Sequence, residues 1–337
     1  LLGVSITGWM NNPDILFDEK ILQKGAEIVK EVNKEMAAII GINPAARTTC
    51  VKPSGNASVL LQTASGIHAE HSNMYIRNVQ MNKESEITQA IMKTNPYMVE
   101  DSVWSAGGTD VVVSFPILPK KGSMYKDDLL GVKHLELVKK AQKHWVEAGT
   151  NEDLCADKGV RHNVSNTIIV DNWEEVEKYV FENRHSFAGI SFLAMTGDKD
   201  YNQAPNTAVI TAKDMVKKYG NAAVFASGMV VDALKCFNNL WDACSTAKGF
   251  GEDLSLESSE NAMKRDWIRR FGKFADNYLK SDTLLAEHCL KDAYLLHKWN
   301  KIQSTLKTVD WKEDIKERKY TDVDTLAAAA CAGGACE

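Results

Sequence analysis

The chain has 337 residues, is 44% hydrophobic and 25% charged, and carries a net charge of −5, which gives room for one large or two medium globular domains. That balance supplies no basic footprint for nucleic acid, and no run of eighteen apolar residues exists to span a bilayer as a helix. The seven cysteines are odd in number and widely scattered, unlike a secreted disulfide framework, so a reducing, cytoplasmic setting is expected.

The chain opens LLGVSITGWM, an apolar run with no initiating Met. It reads as a buried strand from Leu1 to Gly8, and the chain as a fragment or one part of a split or processed protein. Phe17 to Ile40 carries apolar residues at spacings of three and four, the mark of an amphipathic helix. Arg47 to Pro53 (RTTCVKP) reads as a second strand. It runs into PSGNASVL, where Pro53-Ser54-Gly55 predicts a turn and Ala57 onward a helix start. Backbone N–H groups at a helix start favour an anion, Gly55 permits close backbone approach, and Ser54, Asn56 and Ser58 add side-chain donors. The same residues also suit a plain Ser-capped turn, and the GxxxxGK[ST] pattern of a Walker loop is absent.

GIHAEHSNMYIRNVQ follows, with His68 and His71 three apart. Two histidines do not make a metal site, which needs three or four converging ligands, so no metal is expected. Asp110 to Ile117, Asn163 to Val170 and Phe187 to Met195 complete a set of five strands rich in Val, Ile, Phe and Thr. Helical patterns at Lys126 to Gly149 and Asn172 to Arg184 lie among them, and Asp171 or Asn172 is placed to cap the second. Near-continuous apolar strands alternating with helices predict an α/β domain with a parallel sheet. Asn163, Ser165 and Asn166 are polar residues in a strand, candidates to face a ligand. From 212 to 305 only helical patterns appear, and 312–337 reads as a flexible tail. The expected organisation is therefore an α/β domain over 1–206, a helical subdomain over 207–311 and the tail.

The tail ends CAGGACE. Cys331 and Cys336 can close into a disulfide if their Cα atoms come within about 4.4–6.8 Å, and Gly333 and Gly334 ease the reversal. Zinc binding lacks further ligands nearby, and a structural bridge has nothing to hold at a chain tip. A shuttle dithiol needs a neighbouring thiol and a flexible arm, and ~20 flexible residues reach roughly 25 Å. Cys236, Cys244 and Cys289 fall in helical patterns and read as core, as Cys50 does on its strand, while Cys155 reads as an idle loop thiol.

Taken in order, LLGVSITGWMNN, RTTCVKPSGNASVL, GIHAEHSNMYIRNVQ, HNVSNTIIV, YNQAP and CAGGACE resemble the C-terminal half of the adenosylcobalamin-dependent (class II) ribonucleotide reductases. The monomeric ribonucleoside-triphosphate reductases are the nearest type. The resemblance runs over essentially the whole chain, and the KPSG turn and terminal CxxxxC are its most specific parts. It implies the second half of a ten-stranded α/β barrel, with the five strands here parallel. It implies that Ser54, Gly55, Asn56, Ala57 and Ser58 receive the phosphates of a ribonucleoside triphosphate. It implies adenosylcobalamin as cofactor and a thiyl radical that starts the reduction. Cys331 and Cys336 would re-reduce an active-site disulfide and be reduced in turn by thioredoxin or a similar donor.

One departure matters. The family's thiyl cysteine stands in an Asn-x-Cys-x-Glu loop, and that pattern does not occur in this sequence. The missing N-terminal half is therefore an expected partner. A class I large-subunit fragment is the rival within the superfamily, disfavoured because FAGISFLAM lacks the paired tyrosines expected there. A noncatalytic nucleotide-binding remnant is the alternative outside catalysis.

Overall fold

The computed structural model describes residues 1–55, 57–195, 201–250 and 262–311. In chain order the strands are β1 (Val4–Ser5), β2 (Thr49–Cys50), β3 (Tyr75–Asn82), β4 (Val99–Asp101), β5 (Asp110–Ile117), β6 (Thr167–Val170), β7 (Ser191–Ala194) and β8 (Asn206–Ala208). The helices of the first half are α1 (Pro13–Leu16), α2 (Glu19–Ile40), α3 (Ala57–Leu60), α4 (Glu86–Thr94), α5 (Gly131–Ala141) and α6 (Trp173–Glu182). Those of the second are α7 (Ala212–Tyr219), α8 (Ala222–Cys236), α9 (Leu240–Phe250), α10 (Ala262–Tyr278) and α11 (Thr283–Thr305).

The chain divides into two compact units: 1–73 with 118–198, and 74–117 with 199–337. The division differs from a single boundary near Asn206, because 74–117 belongs with the helices.

The first unit is the α/β part. β1 runs parallel to β2, with Val4 opposite Thr49, and β6 runs parallel to β7, with Thr167 opposite Ser191. A parallel bridge between Val51 and Val164 joins the pairs, carried by Val51 N–H to the Asn163 carbonyl (3.2 Å) and Ser165 N–H to the Val51 carbonyl (2.8 Å). Four of the five expected strands therefore lie in one parallel strip, but the first is only two residues long and both it and β7 are exposed, not buried as their apolar runs suggested. Asp18 caps α2 by accepting from the N–H groups of Lys20 and Ile21, and Gly41 ends it in a left-handed conformation (φ 73°). Asn172 caps α6 by accepting from Glu175. The core gathers Trp9, Met10, Leu22, Val51, Ile67, Leu135, Trp145 and Ile168.

The expected helix over Lys126 to Gly149 begins only at Gly131. From Gln142 to Glu147 it widens into a π-helical segment. There Trp145 donates from Nε1 to the Cys50 carbonyl (3.0 Å), and its own carbonyl accepts from the Thr49 hydroxyl (2.6 Å). The wider turn thus places a carbonyl and an indole against β2 together.

The fifth expected strand is not parallel. β5 pairs antiparallel with β3 and β4 in a four-stranded sheet ordered β4-β5-β3-β8, within the second unit. Its Val run is continuous because both faces are covered: Val111 and Val113 pack with Ile91, Met98 and Ile302, and Val112 is buried too. Burial on both faces produces the same run whichever direction the neighbours take. The five helices α7 to α11 supply the main core of this unit, with Trp267, Phe271, Leu240 and Leu290 at its centre. Cys244 and Cys289 lie in that core.

Candidate functional site

The PSG turn is held by hydroxyls from two other segments. Thr7, just after β1, accepts from the Gly66 N–H (2.8 Å) and lies 2.8 Å from the Ser54 Oγ. Ser65 Oγ accepts from two successive amides, Ser54 (2.9 Å) and Gly55 (3.2 Å). Gly66 lets this loop close on the turn: at φ 55°, an added Cβ would lie 2.9 Å from the Lys52 carbonyl oxygen.

Gly55 adopts φ 53° with open space around its missing Cβ, so the turn presents bare backbone outward. Ala57 N–H returns to the Ser54 carbonyl (3.1 Å) and Ser58 N–H to the Gly55 carbonyl (3.2 Å). The Ser58 hydroxyl donates to the same Gly55 carbonyl (2.6 Å) and is buried. Ser58 therefore shapes the turn from inside, while Ser54 and Gly55 form its outer surface. Asn56 lies outside the described residues.

Beneath the turn, the buried Asn11 accepts at Oδ1 from the Thr63 hydroxyl (2.7 Å) and the Ala64 N–H (2.6 Å). Its amide donates to Glu70 (2.7 Å) and Ser123 (2.9 Å). One Asn thus fixes the loop that carries Ser65 and Gly66. Sequence reasoning missed Thr7, Asn11 and Ser65; their only signal was polarity beside an apolar strand and a Gly.

His68 and His134 each meet a backbone carbonyl. His68 Nδ1 lies 3.0 Å from the Ser65 carbonyl oxygen, and burial lowers its pKa. His134 Nε2–H donates to the Ile67 carbonyl (3.0 Å), and burial lowers its pKa to about 4. No group of three His, Cys, Asp or Glu among the described residues is placed to hold a metal ion.

Just before β6, Asn163 and Asn166 each keep an Oδ1 that is buried without a hydrogen-bond partner. The Asn166 amide donates to the carbonyls of Val164 (2.7 Å) and Gly189 (3.2 Å). In the second unit, the YNQAP loop is fixed by Gln203, which takes φ 61° and donates to the Asp101 carbonyl (2.7 Å). Tyr201 meets Trp104 edge-on at 5.9 Å. The core thiols are inert: burial pushes Cys244 and Cys289 up to about 12. Cys331 and Cys336 lie outside the described residues.

No family model matches the chain. Two curated proteins resemble it. A probable adenosylcobalamin-dependent ribonucleoside-triphosphate reductase of Dictyostelium discoideum is 28% identical over 123 residues, 36% of this chain and 16% of that protein. An adenosylcobalamin-dependent ribonucleoside-triphosphate reductase of Euglena gracilis is 23% identical over 214 residues, 62% of this chain and 27% of that protein. The chain is a sequence relative of these reductases. It spans 27% or less of the length of either. A crystal structure of a B12-dependent (class II) ribonucleotide reductase aligns over 59% of this chain and 26% of its own, with a TM-score of 0.48 and 18% identity.

Proposed function

We propose that this chain works as part of an adenosylcobalamin-dependent ribonucleoside-triphosphate reductase, contributing a substrate-phosphate cradle and a reductant arm. The observation that carries this is its similarity to the two named reductases. The turn leaves open space beside the Gly55 Cα, which suits the close approach of a phosphate. The parallel strip supports the reading of half a barrel: β1 and β7 each pair on one side only among the described residues, as the two ends of an unclosed sheet do.

In this role Ser54, Gly55, Asn56 and Ala57 face the triphosphate, with Ser58 shaping the turn from inside and Thr7 and Ser65 holding it. The unpaired Oδ1 atoms of Asn163 and Asn166 fit donors presented at the strip, whether from substrate or cofactor. When bound, adenosylcobalamin supplies the radical chemistry that side chains cannot. Exchange of the ribose 2′-hydroxyl for hydrogen consumes two electrons. Cys331 and Cys336 supply them to the spent site as two thiols become a disulfide, and thioredoxin or a similar dithiol restores the pair.

The test is complementation. Chain, upstream half, adenosylcobalamin and thioredoxin together should yield deoxyribonucleotides. Cys331→Ser or Cys336→Ser should abolish thioredoxin-driven turnover while a small dithiol that enters the site still supports it. No product with all components present would favour a noncatalytic nucleotide-binding remnant. Equal failure with both reductants would remove the arm from the mechanism.

A further inference from the structure

Every described hydrogen-bond donor of the PSG turn is engaged inside the chain. The amides of Ser54 and Gly55 both go to the Ser65 hydroxyl oxygen, at 2.9 and 3.2 Å. Those of Ala57 and Ser58 go to the turn's own carbonyls, on Ser54 and Gly55. The Ser58 hydroxyl donates to the Gly55 carbonyl as well. The direction of the Ser54 hydroxyl follows by elimination. Thr7 gives its single hydroxyl proton to the Ala64 carbonyl (3.0 Å), so in its 2.8 Å contact with Ser54 it accepts. An anion is held by donors, and among the described residues this turn has none to offer until one is released.

The two bonds to Ser65 can open without unmaking the turn. The Ala57 and Ser58 bonds are the links from residue i to i+3 that define it. The Ser65 contact is made instead by a side-chain oxygen from another segment. The backbone around that side chain is pinned: Ala64 N–H on Asn11 (2.6 Å), Gly66 N–H on Thr7 (2.8 Å) and His68 N–H on the Ser65 carbonyl (3.1 Å). Rotation of the Ser65 χ1 from one staggered well to another therefore carries its oxygen off both amides while the loop stays in place. The exchange is favourable in kind. A hydroxyl oxygen is a neutral acceptor, whereas a phosphate oxygen makes charge-assisted bonds roughly twice as strong. Gly55 is exposed and Ser54 and Ser65 are half-buried, so the amide pair lies at the surface.

We propose that Ser65 is a latch on the turn: its hydroxyl occupies the Ser54 and Gly55 amides in the empty protein, and a substrate phosphate oxygen takes its place. The released hydroxyl keeps a proton that it can donate to the same phosphate. While the site is empty, the latch keeps both amides converging on one point, so the donors are already aligned when the anion arrives. The inference rests on the reading of this turn as a substrate-phosphate cradle.

Calorimetric titration of the 337-residue chain with inorganic tripolyphosphate tests it. Ser65→Ala removes the competing oxygen and should bind about tenfold tighter than the unaltered chain, the scale of one or two net hydrogen bonds. Ser65→Thr keeps a hydroxyl and should bind like the unaltered chain. Equal or weaker binding by Ser65→Ala would overturn the latch and leave Ser65 as a support alone. So would an absence of binding by all three at millimolar tripolyphosphate, because the freed amides would then attract no phosphate; the reductase reading would still stand or fall on its own complementation. Crystals of the unaltered chain soaked in tripolyphosphate give a second readout that needs no variant. The Ser65 oxygen should have left both amides, with phosphate oxygens in its place, and a phosphate on the turn with Ser65 still on both amides would overturn the proposal.

Discussion

His134 shows how a polar residue on a helix becomes part of a core. It is 3% exposed on α5 and gives its Nε2–H to the Ile67 carbonyl. Burial holds its pKa at about 4, against about 6.5 in an unfolded chain. Between those values the unfolded chain binds a proton that the folded one refuses, so stability falls as pH drops from about 6.5 to 4. The shift corresponds to about 3 kcal/mol at full effect. His134→Gln, which keeps an amide donor and cannot titrate, should flatten that part of the curve. Urea midpoints at pH 7 and 4.5 would check it: an equal loss in both proteins would place the acid sensitivity elsewhere. The sequence showed this His on a helix but not its burial, because burial came from a loop 67 residues away.

Among the elements, the π-helical segment was least legible. QKHWVE continues the helical pattern of α5 without a break, and no residue type announces the wider turn. Only the pull of β2 explains it, since Trp145 must serve the Cys50 carbonyl and the Thr49 hydroxyl together. Trp145→Phe keeps most of the apolar bulk but leaves the buried Cys50 carbonyl without this donor. It should cost about 1–3 kcal/mol, read as a lower urea midpoint, and a change within error would show that another donor replaces it. The caps were plainer: Asp18 and Asn172 are short polar residues just before periodic runs, and both accept from the first turn. Within the helical pattern of 212 to 305 the sequence did not show where α8 ends and α9 begins; Asn239 accepts from Asp242 N–H (2.9 Å) to start α9. β3 was unseen since its middle, Arg77-Asn78-Val79-Gln80, is too polar to read as a strand, yet it is the sheet's central partner for β5.

At the scale of the molecule, composition and strand runs were enough for an α/β part and a helical part, but not for the return of 74–117 to the helices. Pairing direction is a property of two segments, and one segment's pattern cannot carry it. The turn at Pro53-Ser54-Gly55 was legible as a turn because Gly and Ser mark one; its supports, Thr7, Asn11 and Ser65, were not, because each acts through a segment distant in sequence. The cysteines divide in the same way. Cys244 and Cys289, with thiols held at about 12, and Cys50, raised by burial, should be silent toward a thiol reagent at pH 8 in the native chain. All seven should react in denaturant. Fast labelling of Cys244 in the native protein, located by peptide mass, would contradict the buried helical core.

β7 has a consequence for the chain's life outside any assembly. Its four residues are exposed, and beyond β6 it has no strand neighbour among the described residues. Bare amides and carbonyls along such a margin, flanked by Phe192 and Leu193, are a template on which another extended polypeptide can lie down. Synthesised without a companion to close that margin, the chain would depend on dilution or chaperones to avoid seeding its own precipitation.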